Sequence, residues 1–167
     1  MSLLNQIREK SKVEFRRANP AAIEQLRLIG MPEDALTFYR DSEPAKCAEI
    51  ARVRLWPIAQ ILSENRDYVP GAYAQPCGYV VFATTKCGDA FCFDIRGASG
   101  TTAPVVLIAH DLEPENDEMK REDLEKLAKP VSTSFESFLN AFVSETLDTE
   151  PLYPPIDFGT GEDMTQP

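Results

Sequence analysis

The cysteines and the one histidine are the residues whose chemistry has to be considered first. Cys77, Cys87 and Cys92 lie in the stretch CGYVVFATTKCGDAFCFDI at residues 77–95, and the histidine is His110. A structural zinc site needs about four ligands, usually supplied as close Cys or His pairs. No CxxC pair occurs among these cysteines. We therefore expect structural thiols with no metal and no other cofactor, and keep a zinc site as the minor alternative.

A thiol enzyme is the second chemistry that these residue types allow. It needs a nucleophile, a base and an orienting group, which Cys87, His110 and Asp111 could supply. Nothing marks Cys87 as activated, because only Lys86 is a nearby cation and no helix N-terminus follows. We expect Asp89 to close a turn by bonding backbone amides and Asp94 to lie on a solvated sheet face. No GxGxxG, P-loop, HExxH or GxSxG motif is present.

Charge and composition exclude several other classes. The 167 residues carry 17 basic and 27 acidic groups, a net charge of −10. Such a field repels nucleic acid and anionic membranes and attracts a basic partner, although acidity can also serve solubility alone. The N-terminal segment carries charges before any long apolar run, and no run reaches the length of a membrane span. We expect reduced cysteines and a cytoplasmic location.

The first half of the chain reads mainly as helices. Asn19 and Pro20 suit the cap and first position of a helix that ends at Gly30, and Pro32 opens another with Glu33 and Asp34 in its first turn. Helices are predicted at 3–17, 20–29, 32–41 and 56–68. A half-exposed strand is predicted at 47–55, with Ala51, Val53 and Leu55 on one face, and residues 69–78 are predicted to form a loop.

The second half predicts a sheet closed by a helix. Strands at 78–85, 90–95 and 103–111 form a meander, with Gly88 in the first turn. Residues 113–129 are polar, and we predict that they are at least partly helical. Thr133 and Glu136 have capping-box spacing before a helix with five apolar residues on one face: Phe135, Phe138, Leu139, Phe142 and Val143.

These elements predict an α+β fold. A mostly antiparallel sheet with a central meander is covered by N-terminal helices and a closing C-terminal helix. We predict one domain over residues 1–148, followed by a Pro-, Gly- and acid-rich tail at 149–167 that is loosely ordered.

Three stretches in this order resemble the SUKH superfamily, which groups bacterial toxin-immunity proteins with fungal cell-wall-synthesis regulators. LRLIGMPEDALTFYRD is similar to its helix–turn–helix opening, and GYVVFATTKCGDAFCFDI to its central hairpin. APVVLIAHD followed by STSFESFLNAF is similar to its last strand and closing helix. The resemblance spans roughly residues 20–145. It implies an α+β fold, no catalysis and protein binding, with neutralisation of a cognate toxin, often a nuclease, as the usual task of the immunity branch.

We therefore expect a protein partner, such as a basic toxin, and neither nucleic acid nor membrane. Two alternatives stay open: a regulatory scaffold with an endogenous partner, and a thiol- or metal-dependent enzyme. The candidate contacts are the acidic segment after the third meander strand and two aromatic anchors, unless that segment is only a solvated loop and Trp56 belongs to the core. These candidates are Asp111, Glu113, Glu115, Asp117, Glu118, Tyr73 and Trp56.

Overall fold

A computed structural model describes residues 1–112 and 118–153 of the chain. The helices are α1 (Leu3–Ser11), α2 (Pro20–Leu28), α3 (Glu33–Asp41), α4 (Ile58–Asp67), α5 (Gly71–Ala74), α6 (Arg121–Leu127) and α7 (Phe135–Ser144). The strands are β1 (Phe15–Arg16), β2 (Glu43–Pro44), β3 (Ala48–Ile50), β4 (Val53–Leu55), β5 (Tyr79–Thr85), β6 (Ala90–Asp94), β7 (Val105–Ile108) and β8 (Lys129–Ser132). Short 3-10 helices cover Gln75–Cys77 and Ile95–Gly97.

The main sheet confirms the predicted α+β class. Its six strands follow the order β3-β4-β5-β6-β7-β8, so each strand pairs with its sequence neighbours, and every pairing is antiparallel. Strands β1 and β2 form a separate two-stranded ribbon. The predicted meander is therefore the centre of a larger sheet.

Both faces of the central strands are buried, which explains why β5 and β7 lack a polar face. Alternate residues of β6 enter two different cores: Phe91 and Phe93 face the larger one, and Ala90 and Cys92 face the smaller. Helices α1–α4 and α7 contribute to the larger core, whereas α5 and α6 contribute Ala74 and Leu124 to the smaller. Helix α7 confirms its predicted apolar face, since all five residues of that face are buried.

A β-bulge in β5 places two consecutive side chains in the same core. The pairing of β5 with β6 shifts between Val81 and Ala83, and both Phe82 and Ala83 contact the larger core. Asn65 of α4 lies against this irregularity. Its side-chain amide donates to the Val81 carbonyl at 2.8 Å and accepts the Val81 N–H at 2.9 Å. The buried amide thus fixes α4 to the sheet.

Two helix starts differ in how their first amides are satisfied. Pro57 offers no capping side chain, and the Ile58 N–H at the start of α4 instead donates to Glu43 Oε1 at 3.1 Å. This contact accounts for the burial of the Glu43 carboxylate. At α7 the cap is Ser134, whose hydroxyl accepts from the Ser137 N–H. The predicted capping box at Thr133 was therefore wrong by one residue.

Three predicted elements were wrong in their extent, and one strand was missed. The first helix ends at Ser11, because Lys12 takes a left-handed conformation with φ 58° and the chain enters β1. The single strand predicted at 47–55 is the β3–β4 hairpin, which reverses at Ala51 with φ 51°. The loop predicted at 69–78 contains α5 and a 3-10 helix. Helix α6 confirms that residues 113–129 are partly helical, but the following strand β8 was not predicted.

The beginning of the predicted tail contacts the domain. Lys129 Nζ lies 2.7 Å from Asp148 Oδ2 and donates to the Glu150 carbonyl at 2.7 Å, and Pro151 is buried. The division at residue 148 and the loose order of the tail stay predictions, because residues 154–167 lie outside the described residues.

Candidate protein-interaction site

The acidic segment follows β7 and leads toward α6. Asp111 and Glu118, at its two ends, are exposed, as a partner-binding role requires. Glu113, Glu115 and Asp117 lie outside the described residues. Helix α6, which follows the segment in the sequence, has three exposed carboxylates: Glu122, Asp123 and Glu125.

The two candidate aromatic anchors are only half-exposed. Trp56 packs against the larger core, and its indole N–H donates to Thr84 Oγ1 at 3.0 Å. Its carbonyl also accepts from the Tyr39 hydroxyl at 3.1 Å. Tyr73 lies on α5 and is half-buried. The contacts of Trp56 give it a structural role, and a binding role for either aromatic stays a prediction.

A single arginine holds α6 against the sheet. The Arg121 side chain, 12% exposed, donates to Asp94 Oδ1 at 2.8 Å and to the Cys77 carbonyl at 2.7 Å. Its guanidinium also lies over the Tyr79 ring, 4.6 Å from the centroid. The prediction that Asp94 lies on a solvated face was wrong, because Arg121 and α6 cover it.

Asp89, and not Asp111, is the partner of His110. The Asp89 carboxylate is buried, with Oδ1 lying 2.7 Å from His110 Nδ1 and accepting the His110 backbone N–H at 3.0 Å. Asp89 Oδ2 accepts from the Thr85 hydroxyl. We predicted that this carboxylate would bond amides within its own turn; instead it joins the β5–β6 turn to the end of β7. The adjacent Gly88 has φ 97°, as the predicted turn requires.

The four cysteines differ in exposure, and none of them forms a disulfide. Cys87 is exposed in the β5–β6 turn, and Cys47 and Cys77 are half-buried. Cys92 is buried in the smaller core, and this burial raises the pKa of its thiol far above the usual range. Burial, more than the neighbouring Glu49, also raises the pKa of Cys47, against an opposing effect of Arg54. The thiols of Cys47 and Cys92 are therefore poor nucleophiles at neutral pH.

Over residues 1–112 and 118–153, no group of three or more His, Cys, Asp or Glu side chains is arranged to hold a metal ion. In the same residues, none of the helices combines the length and the apolar composition that crossing a bilayer demands.

Sequence reasoning missed one surface feature, a groove between the C-terminal halves of α2 and α4. Leu28 lines this groove with 84% of its surface exposed. The available signal was its position in the helix, since Leu28 lies outside the buried stripe formed by Ile23 and Leu26.

The family of the chain follows from comparison with known proteins. The model of the SMI1 / KNR4 family (SUKH-1) matches residues 17–141, which include α2 through most of α7. A match over most of the chain shows membership, and the protein belongs to this family. Comparison with curated protein sequences found no significant match.

Proposed function

We propose that the protein is a non-catalytic protein-binding module that neutralises a cognate toxin, such as a basic nuclease, in the cytoplasm. The observation that carries this proposal is membership of the SMI1 / KNR4 family, whose α+β fold suits immunity and regulatory proteins that act by binding partners. A net charge of −10 supports a basic partner, because opposite charges speed encounter and disfavour wrong partners.

We propose further that the acidic segment meets the partner. Its described ends, Asp111 and Glu118, are exposed, and the exposed Glu122 and Asp123 of α6 add negative charge, whereas Glu125 is paired with Arg121 at 2.8 Å. Carboxylates in such a position steer a cationic partner over distances up to about a Debye length, roughly 8 Å at physiological salt. Tyr73 and Trp56 are retained as candidate anchors on the grounds that aromatic residues concentrate binding energy near interface centres.

The experiment on this surface reverses three charges of the segment. In the variant Glu113→Lys, Glu115→Lys and Glu118→Lys, we expect the association rate with the purified partner to fall at low salt while the dissociation rate changes little. Stopped-flow kinetics at several salt concentrations measures both rates. We expect the melting temperature to stay unchanged; for Glu118 the structural reason is that it is exposed and makes no ion pair within the described residues.

A matched control separates the position of the charges from their number. Glu9, Glu14 and Asp41 are exposed and lie on the N-terminal part of the chain, and reversing them to Lys changes the net charge equally. Equal slowing in both triple variants would assign the effect to the overall field. Unchanged association in the first variant would remove the acidic segment from the interface.

A regulatory scaffold with an endogenous partner is the second candidate, because the family also includes regulatory members. The two functions differ in genetic setting, since an immunity gene is expected beside the gene of its toxin. Growth of cells that carry the neighbouring gene alone separates them. A toxic neighbour that the protein renders harmless supports neutralisation, whereas a harmless neighbour favours regulation.

A further inference from the structure

Residues 148–153, which follow α7 in the chain, form a segment that the proposed partner contact leaves unused. Lys129 of β8 fixes this segment, because its Nζ lies 2.7 Å from Asp148 Oδ2 and donates to the Glu150 carbonyl at 2.7 Å. The Glu150 N–H donates to Asp148 Oδ1 at 3.0 Å, and Pro151 is buried. The segment is therefore held against the domain as far as Pro151.

This held segment crosses the end of the sheet at which the acidic segment begins. Lys129 pairs with Leu107 near the end of β7, and the chain that leaves β7 continues directly to Asp111. Leu152 and Tyr153 follow the buried proline, and their side chains are 41% and 57% exposed. Two large apolar side chains thus stand open on a fixed backbone at this end of the sheet.

The charges that act most on Tyr153 are negative. Partial burial, and then the carboxylates of Asp89, Asp111 and Glu150, raise the pKa of the Tyr153 phenol. Asp89 is buried and bonded to the His110 ring. Asp111 and Glu150 are exposed, and neither forms an ion pair within the part of the chain that the structure describes. Two free carboxylates therefore accompany the Tyr153 ring.

The lysines at this end of the sheet are engaged with other groups. Lys86 of the β5–β6 turn lies 2.7 Å from Glu49 Oε1, and Lys129 holds the tail segment. The charge of Arg52, in the β3–β4 turn, acts on Tyr153 less than the three carboxylates do. The surroundings of the ring therefore favour a cation that comes from outside the chain.

A ring flanked by carboxylates suits an arginine side chain in particular. An aromatic face attracts a cation, and the planar guanidinium both stacks on a ring and donates two parallel hydrogen bonds to a carboxylate. A lysine ammonium is more strongly hydrated and acts as a point charge. Arginine is also enriched among the residues that dominate binding energy at protein interfaces.

We propose that Tyr153, with Asp111 and Glu150 beside it, is an anchor of the partner contact and binds an arginine side chain of the partner. The inference rests on the proposed function and deepens it, because it names the aromatic residue and the partner side chain that meet at the acidic segment. Tyr153 is exposed, whereas the aromatic candidates from the sequence, Tyr73 and Trp56, are half-buried.

The probe is N-acetylarginine amide, titrated into the isotope-labelled full chain and followed by NMR spectroscopy, with N-acetylcitrulline amide as its neutral isostere. We expect the arginine probe to shift the amide resonances of residues 110–111 and 150–153 in a saturable way and the citrulline probe to leave them unchanged. Tyr153→Leu keeps an apolar side chain but removes the ring, and should weaken arginine binding about threefold. Tyr153→Phe keeps the ring and should retain the affinity.

The matched control is Tyr68→Leu, since Tyr68 is 53% exposed and follows α4 elsewhere in the fold. This variant should bind the arginine probe as the wild type does. Asp111→Asn combined with Glu150→Gln should weaken binding about twofold or more and reduce its dependence on salt. No shift at these residues, equal binding of the citrulline probe, or an unchanged affinity in Tyr153→Leu would overturn the proposal.

The outcome is separable from that of the proposed function. With the purified partner, Tyr153→Leu should raise the dissociation rate, because an anchor acts after encounter, whereas charge reversal in the acidic segment slows association. If the partner leaves Tyr153→Leu as slowly as it leaves the wild type but associates slowly with the acidic-segment variant, only the anchor proposal fails. If the arginine probe binds at Tyr153 but no toxin is neutralised, the arginine site stands and the immunity function fails.

Discussion

Burial gives the four cysteines different reactivities. Cys87 is exposed in a turn, whereas Cys92 lies inside the smaller core, where burial raises the pKa of its thiol. The thiolate is the reactive form, so the burial that raises the pKa of Cys92 and hides its sulfur makes Cys92 less reactive than the exposed Cys87.

We predict that a thiol reagent modifies Cys87 first in the native protein, Cys47 and Cys77 more slowly, and Cys92 only after unfolding. Mass spectrometry of digests taken during the reaction measures the order, and Cys87→Ser should remove the fast phase. Early modification of Cys92 would show that the smaller core opens readily.

A chelator should not change the melting temperature of the protein, and a fall in the melting temperature would reveal a structural metal.

The spacing of residues along the sequence did not predict which carboxylate contacts His110. Cys87, His110 and Asp111 have the residue types of a catalytic set, and the neighbouring Asp111 was the natural orienting group. The pairing of β6 with β7 instead places Asp89 against the His110 ring. Contacts across strands depend on register, which spacing along the chain does not determine.

Helix α7 carries much of the aromatic core. The Phe138 ring is fully buried and lies 4.8 Å from the Phe82 ring centroid and 5.2 Å from that of Phe91, in edge-to-face contacts. Such pairs contribute beyond the apolar area that they bury.

We predict that Phe138→Ala lowers the free energy of unfolding by about 3–5 kcal/mol, because it empties a buried aromatic site. Ser137→Ala, one residue earlier on the exposed side of the helix, should change it by less than about 0.5 kcal/mol. Urea denaturation followed by circular dichroism measures both. A loss below about 1 kcal/mol for Phe138→Ala would show that the Phe138 ring is not tightly packed in the core.

Helix α6 has only seven residues and depends on contacts with the rest of the fold. Arg121 bonds Asp94 and the Cys77 carbonyl and covers the Tyr79 ring. Its removal leaves the half-buried Asp94 carboxylate without its cation.

We therefore predict that Arg121→Ala speeds amide hydrogen exchange in residues 121–127, while exchange in β5 and β6 stays slow. Lys126→Ala, on the exposed side of the same helix, is the control. Unchanged exchange in Arg121→Ala would show that Leu124 and its apolar neighbours suffice to hold α6.

Long periodic elements were predictable and short ones were not. The apolar face of α7 and the buried strands of the meander follow from residues 79–108 and 135–143 alone. Strand β8 was missed because its sequence KPVS carries no alternation, and its pairing with β7 forms it. The β3–β4 reversal was missed because Ala51 adopts a positive φ that alanine rarely takes.

The molecule as a whole combines an α+β fold, a net charge of −10, the acidic segment that we propose as the partner contact, and a groove between α2 and α4. The acidity was evident in the composition, whereas the groove required the packing of two helices that are far apart in sequence.

Inhibition of the isolated partner tests neutralisation most directly. The tagged protein is used to isolate its partner from cells that produce both, mass spectrometry identifies the partner, and the two are separated under denaturing conditions and refolded. The partner's toxic activity, for a nuclease the cleavage of nucleic acid, is then measured against the molar ratio of added protein. We predict a linear loss of activity that is complete at a stoichiometric ratio. Full activity in a saturated complex would contradict neutralisation.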